Sequence, residues 1–174
     1  MLMNLTDVFT SEGKVKKISQ TYDAGSVSYM GEDYPVVDKS DVSLTFTNIG
    51  TGRILLEGEF SLTVEVPCDR CLQSVEVPIG VSFTHEIAAS VDGNVPAEEE
   101  EQCFMSGYEL DTDTLISNEI LINMPVKVLC SEECKGICPV CGQNRNDKEC
   151  ECDTFVPDPR MAAIKDIFNA NKEV

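Results

Sequence analysis

Residues 130–152 of this 174-residue chain read CSEECKGICPVCGQNRNDKECEC. Six cysteines fall within these 23 residues, and the side chains between them are too small and polar to fold by apolar burial alone. A bound metal can supply the missing stability, because the free energy of metal binding becomes free energy of folding. The segment therefore predicts a metal-ordered module.

The cysteines of this segment come in closely spaced pairs. Cys138 and Cys141 form a C-x2-C turn in which the intervening proline fixes φ, and Gly142 can take a left-handed conformation after the second ligand. Cys150 and Cys152 follow closely enough to complete a tetrahedron of the thiolate ligands that zinc prefers. These four cysteines predict a zinc site, which we call site 1.

Two further cysteine pairs lie far apart in the sequence. Cys68 and Cys71 form a second C-x2-C pair, and Cys130 and Cys134 form a C-x3-C pair. Each pair follows a predicted strand, so one ion held by all four would clip the sheet to the C-terminal segment. We call this second predicted zinc site site 2.

Three alternatives to site 2 fit the same spacings. The first is a single site made from two neighbouring pairs: Cys130, Cys134, Cys138 and Cys141. In the second, Cys68 and Cys71 are reduced thiols at a hairpin. In the third they form a redox-active pair, although the βαβ context typical of such pairs is absent from the pattern.

The expected metal is structural zinc, as one or two ions. Four thiolates around each ion leave no open coordination position, so neither site would be hydrolytic. Cys103 stands alone, outside every pair. Disulfides are not expected, because residues 1–19 lack the apolar stretch of an export signal and the cytoplasm, where we expect the protein, is reducing.

Upstream of the cysteine-rich segment, apolar and polar residues alternate in three runs, at 42–46, 54–66 and 75–83. A period of two is typical of strands with one face on a core and one face in water. The three runs, joined by short links, predict an antiparallel meander. Gly58 interrupts the second run, where we expect a β-bulge.

The period changes to that of a helix over 112–124, and Pro125 should end this helix. A short strand is expected at 126–128, leading to the first cysteine of the segment. A final helix is expected at 160–170, after two prolines. The acidic run at 98–101 is interpreted as a solvated loop.

These elements predict an α+β protein: an antiparallel β-sheet body with a packed helix, and a C-terminal zinc-ribbon-like module that ends in a helix. We assign the acidic, β-rich body with its one helix (112–124) to residues 1–126. The cysteine-rich zinc module with the C-terminal helix is assigned to residues 127–174.

The formal net charge of −18 belongs almost entirely to the predicted body. Residues 1–126 hold 22 acidic and 6 basic side chains, whereas residues 127–174 hold 9 and 7. Such a surface repels phosphate backbones and favours a basic partner, for example a ribosomal protein; the alternative is that the charge only keeps the protein soluble. The bases available for direct RNA contact are the clustered Lys14, Lys16 and Lys17, together with Arg70 and, nearer the C-terminus, Lys135, Arg145 and Lys148.

Patterns that indicate catalysis are nearly absent. The single histidine, His85, is followed by Glu86, but Ala89 stands where a zinc-protease motif needs its second histidine. We interpret His85 as a surface residue on the polar side of a strand. No Gly-rich phosphate loop and no apolar run long enough to span a membrane occurs, so we expect neither an enzyme nor a membrane partner.

Three stretches of the chain resemble a known protein family. Residues 66–72, VPCDRCL, resemble the central C-x-R-C motif of the bacterial YceD family, the large ribosomal RNA subunit accumulation proteins. Residues 129–142, LCSEECKGICPVCG, resemble the C-terminal signature of its Gram-positive type, and residues 158–165, DPRMAAIK, match as well. The resemblance implies a cytoplasmic, non-enzymatic factor for the synthesis, processing or stability of large-subunit (23S) ribosomal RNA.

Charge and resemblance together favour a ribosome biogenesis factor that contacts a basic ribosomal protein or a precursor particle of the large subunit. Two other functions stay open. One is direct binding of ribosomal RNA through the bases named above. The other is a thiol redox or zinc-responsive switch at Cys68 and Cys71.

Overall fold

A computed structural model describes residues 1–88 and 103–152 of the chain. The predicted final helix at 160–170 and the acidic run at 98–101 lie outside the described residues. The chain divides into two compact units: the first is Met1–Val66 with Ser74–Val128, and the second is Pro67–Gln73 with Leu129–Val174. The segment that carries Cys68 and Cys71 therefore belongs with the C-terminal cysteines.

The described residues form nine strands and two helices: β1 (Leu2–Asn4), α1 (Thr6–Phe9), β2 (Val15–Gln20), β3 (Ser26–Tyr29), β4 (Glu32–Lys39), β5 (Val42–Gly50), β6 (Arg53–Pro67), β7 (Ser74–Ala88), β8 (Met105–Ser106), β9 (Glu109–Asp111) and α2 (Thr112–Asn123). Six strands make the main sheet, in the order β2-β5-β6-β4-β3 with β7 also paired to β6. The remaining three make a small sheet in the order β1-β9-β8.

Strand β6 is the centre of the main sheet. Strand β5 pairs with it antiparallel, with Phe46 opposite Leu56. Strand β4 pairs with the same strand further along, with Val36 opposite Val64. The predicted α+β class with a mostly antiparallel sheet is confirmed, whereas the zinc-ribbon-like form of the second unit stays a prediction.

Alternation along the strands gives the main sheet one apolar face. The buried side chains of β5 and β6 occupy every second position: Val42, Leu44, Phe46, Ile54, Leu56, Phe60, Leu62 and Val64. Helix α2 packs against β7, and its Leu115, Ile116 and Ile120 are fully buried in the same core. Burial of each such side chain contributes about 1.5–3 kcal/mol, so this core is sufficient to hold the first unit together.

Helix α2 agrees with its sequence prediction to within one residue at its end. It begins after Asp111, whose carboxylate accepts hydrogen bonds from the N–H groups of Asp113 and Thr114 at 3.2 and 3.5 Å. This carboxylate satisfies donors that have no partner within the helix and places negative charge at its N-terminus. The cap fixes where the helix starts, and Pro125 follows its end.

The strand expected at 126–128 is wrong, because no strand covers these positions in the structure. Val126 is 97% exposed, whereas Val128 packs into the core without strand pairing. Two valines separated by one residue match the period of a strand by chance. A pattern this short does not determine whether a neighbouring strand lies beside it.

Gly58 lies in a regular part of the pairing between β5 and β6, and this pairing has no bulge at the expected position. It pairs with Leu44, and the shift in register between β5 and β6 falls between Asn48 and Gly50 instead. A Cβ atom at residue 58 would lie 2.1 Å from Cζ of Phe83. The glycine is therefore required because the Phe83 ring from β7 fills the space of its side chain.

Asn48 is a buried polar residue that holds the end of α1 against β5. Its Nδ2 donates to the carbonyl oxygens of Val8 at 2.6 Å and Phe9 at 3.1 Å, and its Oδ1 accepts from the N–H of Gly50 at 2.7 Å. We expect Asn48→Ala to lower the free energy of unfolding by about 2 kcal/mol, because buried backbone groups lose their partners. Urea denaturation followed by circular dichroism measures this change.

The control for this substitution is Asn118→Ala, which removes an exposed bond to the sulfur of Cys103. Its expected effect is within about 0.5 kcal/mol of zero. Equal losses in the two variants would contradict the role assigned to Asn48.

Candidate metal centres

The turn that joins β6 to β7 places the first cysteine pair. The N–H of Cys68 donates to the carbonyl oxygen of Gln73 at 2.8 Å, and the N–H of Leu72 donates to the carbonyl oxygen of Cys68 at 2.9 Å. Leu72 has φ of 60°, in the left-handed region that a leucine adopts only at a cost of about 1–2 kcal/mol. This tight turn brings the sulfurs of Cys68 and Cys71 to one side.

The same turn occurs again at the second C-x2-C pair. The N–H of Cys138 donates to the carbonyl oxygen of Gln143 at 2.8 Å, and the N–H of Gly142 donates to the carbonyl oxygen of Cys138 at 2.8 Å. Gly142 has φ of 73°, which confirms the left-handed conformation that the sequence predicts after the second ligand. Gly142 stands where the first turn has Leu72, so the second turn forms without that strain.

The four sulfurs of site 2 lie within 4.8 Å of one another. The sulfur of Cys68 is 3.8 Å from that of Cys134, and the sulfur of Cys71 is 3.5 Å from that of Cys130. A tetrahedral zinc with bonds of about 2.3 Å separates its sulfur ligands by about 3.8 Å. A disulfide needs about 2.05 Å, and all four cysteines are free, so the spacing fits one shared ion.

The sulfurs of Cys138, Cys141, Cys150 and Cys152 in site 1 also lie within 4.8 Å of one another. Cys138 is buried, whereas the other three reach the surface to different degrees. The structure thus groups the eight cysteines as two sets of four, each of which could hold a metal ion. Cys130 and Cys134 lie with Cys68, not with Cys138, so the alternative single site is not formed.

Backbone N–H groups favour the thiolate form at one cysteine in each site. Burial raises the pKa of Cys68, but N–H groups of its own turn and of Cys130 outweigh that effect and lower the pKa to about 6. In site 1, N–H groups of the second turn lower the pKa of Cys138 to about 6. Both turns therefore prepare a thiolate, the form of cysteine that binds metal.

Other thiols of the two sites hold their protons more firmly. The sulfur of Cys134 raises the pKa of Cys130 to about 12, and the sulfur of Cys141 raises the pKa of Cys152 to about 12. Crowded sulfurs cannot all be ionised without a compensating positive charge. A divalent ion supplies that charge, so metal binding at either site would release protons.

The described part of the second unit has no apolar core. Its buried residues are four cysteines and Gly136. Of its larger apolar side chains, Leu72, Ile137 and Val140 are 66%, 39% and 59% exposed, and Leu129 is half-buried. Among the described residues of this unit, sulfur–metal bonds would therefore be the main source of stability of the size that an apolar core supplies elsewhere.

Arg70 fastens the first turn to the C-terminal cysteines. Its guanidinium donates to the carbonyl oxygen of Cys134 at 2.8 Å, and its own carbonyl oxygen accepts from the N–H of Ile137 at 3.1 Å. A Cβ atom at Gly136 would lie 3.0 Å from that carbonyl oxygen, so glycine permits the close approach. The structure thus places the guanidinium of this predicted RNA-binding residue on the protein's own backbone.

The clustered lysines predicted to contact RNA lie on or beside β2, in the first unit. Lys14 and Lys16 both pair with Asp7, with Nζ–Oδ distances of 3.1 and 3.2 Å. Lys17 is exposed on β2. The structure therefore brings two of the predicted bases together around one carboxylate, whereas Arg70 belongs to the second unit.

Two polar contacts were not expected from the sequence. Nδ2 of Asn146 donates to the sulfur of Cys134 at 3.3 Å. Nε2 of His85 lies 2.7 Å from Oε1 of the buried Glu119, which corrects the interpretation of His85 as a surface residue. The contact between His85 and Glu119 joins a strand to a helix 34 positions away, so the local pattern could not indicate it.

Comparisons with known proteins give one family and three relatives of unknown function. Residues 56–168 match the family described as large ribosomal RNA subunit accumulation protein YceD. The chain is 27% identical over 104 residues to uncharacterized proteins of Mycobacterium bovis and of two strains of Mycobacterium tuberculosis. The match covers 59% of this chain and 49% of each relative, so the chain spans about half the length of those relatives.

No solved structure matches the chain. Among the helices in residues 1–88 and 103–152, none is long and apolar enough to cross a membrane.

Proposed function

The chain belongs to the YceD family of large ribosomal RNA subunit accumulation proteins, and on this premise we propose that it is a cytoplasmic ribosome biogenesis factor for 23S ribosomal RNA. It supports the synthesis, processing or stability of that RNA without catalysing a reaction. It does so through contacts with a basic ribosomal protein or with a precursor particle of the large subunit. Zinc ions at site 1 and site 2 order its second unit.

The observation that carries this proposal is the acidic outer face of the main sheet. Strands β5, β6 and β7 turn their polar residues to this face, where Glu57 and Glu59 are exposed. They line an open groove together with the hydroxyl-bearing residues Ser43, Ser82 and Thr84. With 22 acidic and 6 basic side chains in residues 1–126, this region has too few cations to neutralise the face.

Three of the cations nearest in sequence to this face pair with carboxylates, whereas Lys17 lies opposite Thr45 at the edge of the groove. Lys14 and Lys16 pair with Asp7, and Nη1 of Arg53 lies 2.7 Å from Oε1 of Glu86. Unlike charges attract across an interface, and salt weakens that attraction. A basic protein chain therefore fits this face better than the phosphate backbone of RNA does.

We expect the paired substitutions Glu57→Lys and Glu59→Lys to reduce capture of large-subunit components by about tenfold, because they place like charges opposite a basic partner. The measurement is affinity purification of the tagged, full-length chain, with the recovered ribosomal proteins and precursor particles quantified by mass spectrometry. The matched control is Asp23→Lys with Glu32→Lys, which changes the net charge equally at exposed positions outside the groove.

Three results would contradict this assignment. If the control pair loses as much binding, net charge rather than the groove explains the contact. If the unaltered chain recovers no ribosomal component, the proposed role in assembly fails. Retention of protein-free 23S RNA, with a steep dependence on salt, would favour direct RNA binding instead.

A further inference from the structure

The loop that closes site 1 contains the side chain that contacts a ligand of site 2. This loop, residues 142–149, lies between Cys141 and Cys150, which are both in site 1. From within it, Nδ2 of Asn146 donates to the sulfur of Cys134, in site 2, at 3.3 Å. We propose that Asn146 couples the two sites, so that metal bound at site 1 strengthens metal binding at site 2.

Two hydrogen bonds hold the Asn146 amide in place for this contact. Its Oδ1 accepts from the N–H of Lys135 at 2.7 Å, and its backbone N–H donates to Oδ1 of Asn144 at 3.0 Å. With Oδ1 engaged on one side, the Nδ2 group faces the sulfur. A hydrogen bond to a charged acceptor such as a thiolate is worth about 1.5–3 kcal/mol, so the contact is strong enough to change metal affinity.

The position of Asn146 depends on site 1 because both ends of its loop are site 1 ligands. The loop is also attached through its backbone: Gly142 and Gln143 hydrogen-bond Cys138, the N–H of Arg145 donates to the carbonyl oxygen of Gly136 at 2.9 Å, and Asn144 forms an isolated bridge with Ile137. The exposed ion pair of Lys135 with Glu149 adds little. With site 1 empty, Cys141 and Cys150 no longer share an ion, and the amide is held by these hydrogen bonds without the metal that fixes both ends of the loop.

The coupling acts in both directions. If metal at site 1 raises the affinity of site 2 by some factor, metal at site 2 must raise the affinity of site 1 by the same factor. Partners that hydrogen-bond a metal ligand typically change metal affinity by about 10–100-fold when they are removed. We therefore expect a coupling factor in this range, set chiefly by one side chain.

The experiment measures each site of the full chain separately with Co²⁺. Cys141→Ser with Cys150→Ser disables site 1, and Cys71→Ser with Cys130→Ser disables site 2. Charge-transfer absorption from sulfur to cobalt reports occupancy, and competition with a chelator gives the dissociation constants. This inference rests on metal binding at both sites. A chain that takes up no cobalt overturns that premise. If both sites bind cobalt but disabling one leaves the dissociation constant of the other unchanged, only the coupling is overturned.

Three variants then test Asn146 itself. Asn146→Ala removes the donor to Cys134, and Asn146→Asp keeps an acceptor for the N–H of Lys135 while directing an oxygen at the sulfur. Both should weaken cobalt binding at site 2 by about 10–100-fold, and leave the affinity of site 1, measured with site 2 disabled, unchanged. Lys148→Ala, in the same loop, is the matched control and should leave both affinities unchanged.

The decisive comparison is the effect of disabling site 1 on the affinity of site 2. In the unaltered background it should weaken site 2 by about 10–100-fold, and in the Asn146→Ala background this effect should disappear. If disabling site 1 weakens cobalt binding at site 2 just as much in the Asn146→Ala background, the proposal is overturned. An Asn146→Ala variant in which site 1, measured with site 2 disabled, is weakened as much as site 2 would overturn it too, because that result would indicate general loss of structure.

Discussion

Replacing Cys68 with serine is expected to reduce the bound metal from two ions to one and to unfold the part of the second unit around site 2, while site 1 and the main sheet stay folded. Cys68 is fully buried, and its sulfur accepts from the N–H of Cys130 at 3.3 Å. Structural zinc contributes about 10–16 kcal/mol of apparent binding free energy in small metal-ordered domains. Because the second unit has no apolar core in its described part, nothing of that size replaces the lost ion.

Elemental analysis of protein purified without a chelator gives the number of ions, and limited trypsin digestion reports folding. Cleavage after Arg70 and Lys135 should become rapid in the variant, because hydrogen bonds hold the backbone of both residues beside site 2. The matched control is Cys103→Ser, which alters an exposed cysteine outside both sites. A Cys68→Ser variant that keeps two ions, or resists trypsin like the control, would refute the structural role of site 2.

Gly58→Ala is expected to lower the free energy of unfolding of the first unit by about 3 kcal/mol, the upper range for overfilling a packed core. The added Cβ would meet three ring atoms of Phe83, at 2.1, 2.5 and 2.8 Å. The ring must leave its place over β6, and it then loses packing against the core. Urea denaturation followed by circular dichroism is the measurement, since the chain has no tryptophan for fluorescence.

Gly80→Ala provides the comparison for this substitution. Gly80 lies in the neighbouring strand β7, and a Cβ atom there would meet nothing within 4 Å. Replacing a strand glycine by alanine at an open position should leave stability unchanged or raise it slightly. If both alanine variants lose the same stability, loss of backbone freedom rather than the Phe83 ring explains the effect, and the packing argument fails.

The sequence was most informative where a short-range pattern reports a physical constraint. Alternation in β5 and β6 predicts which side chains are buried, because successive side chains of a strand face opposite ways. The spacing of Cys138 and Cys141 predicts a tight turn, because only such a turn directs two nearby sulfurs at one ion. These pairs and the number of ligands that zinc takes predict two sites of four cysteines, but they left a single site of Cys130, Cys134, Cys138 and Cys141 open until the structure separated them.

The predictions that failed concern contacts between residues far apart in the chain. Gly58 was interpreted as a bulge within its own strand, whereas glycine is required there because the Phe83 ring on the next strand occupies the space of a side chain. His85 reads as a surface residue because its partner, Glu119, lies on a helix. Asn146 carries no local signal at all, since an asparagine in a polar loop is unremarkable until the fold places a sulfur beside it.

The total charge of residues 1–126 indicated the kind of partner, whereas individual ion pairs could not be predicted from the sequence. The acidic surplus of residues 1–126 is evident from a count, and it predicts a basic partner. The same count cannot show that Asp7 engages both Lys14 and Lys16. Individual ion pairs depend on which side chains meet in space. The sequence therefore names the basic residues proposed for RNA contact, but it does not show which of them are already paired with a carboxylate.

Site 2 takes its sulfurs from two stretches of chain, and Cys71 and Cys130 are 59 positions apart. An ion shared by them closes a long loop as a covalent link would, and for a disulfide of this span the loss of entropy in the unfolded chain amounts to about 4 kcal/mol. The ribosome adds Cys68 and Cys71 before Cys130 and Cys134, so the first two thiols are without the other two ligands while β7 and α2 are synthesised. All four thiols can bind one ion only once Cys134 has been synthesised, and the ion then joins both ends of the stretch that contains β7 and α2.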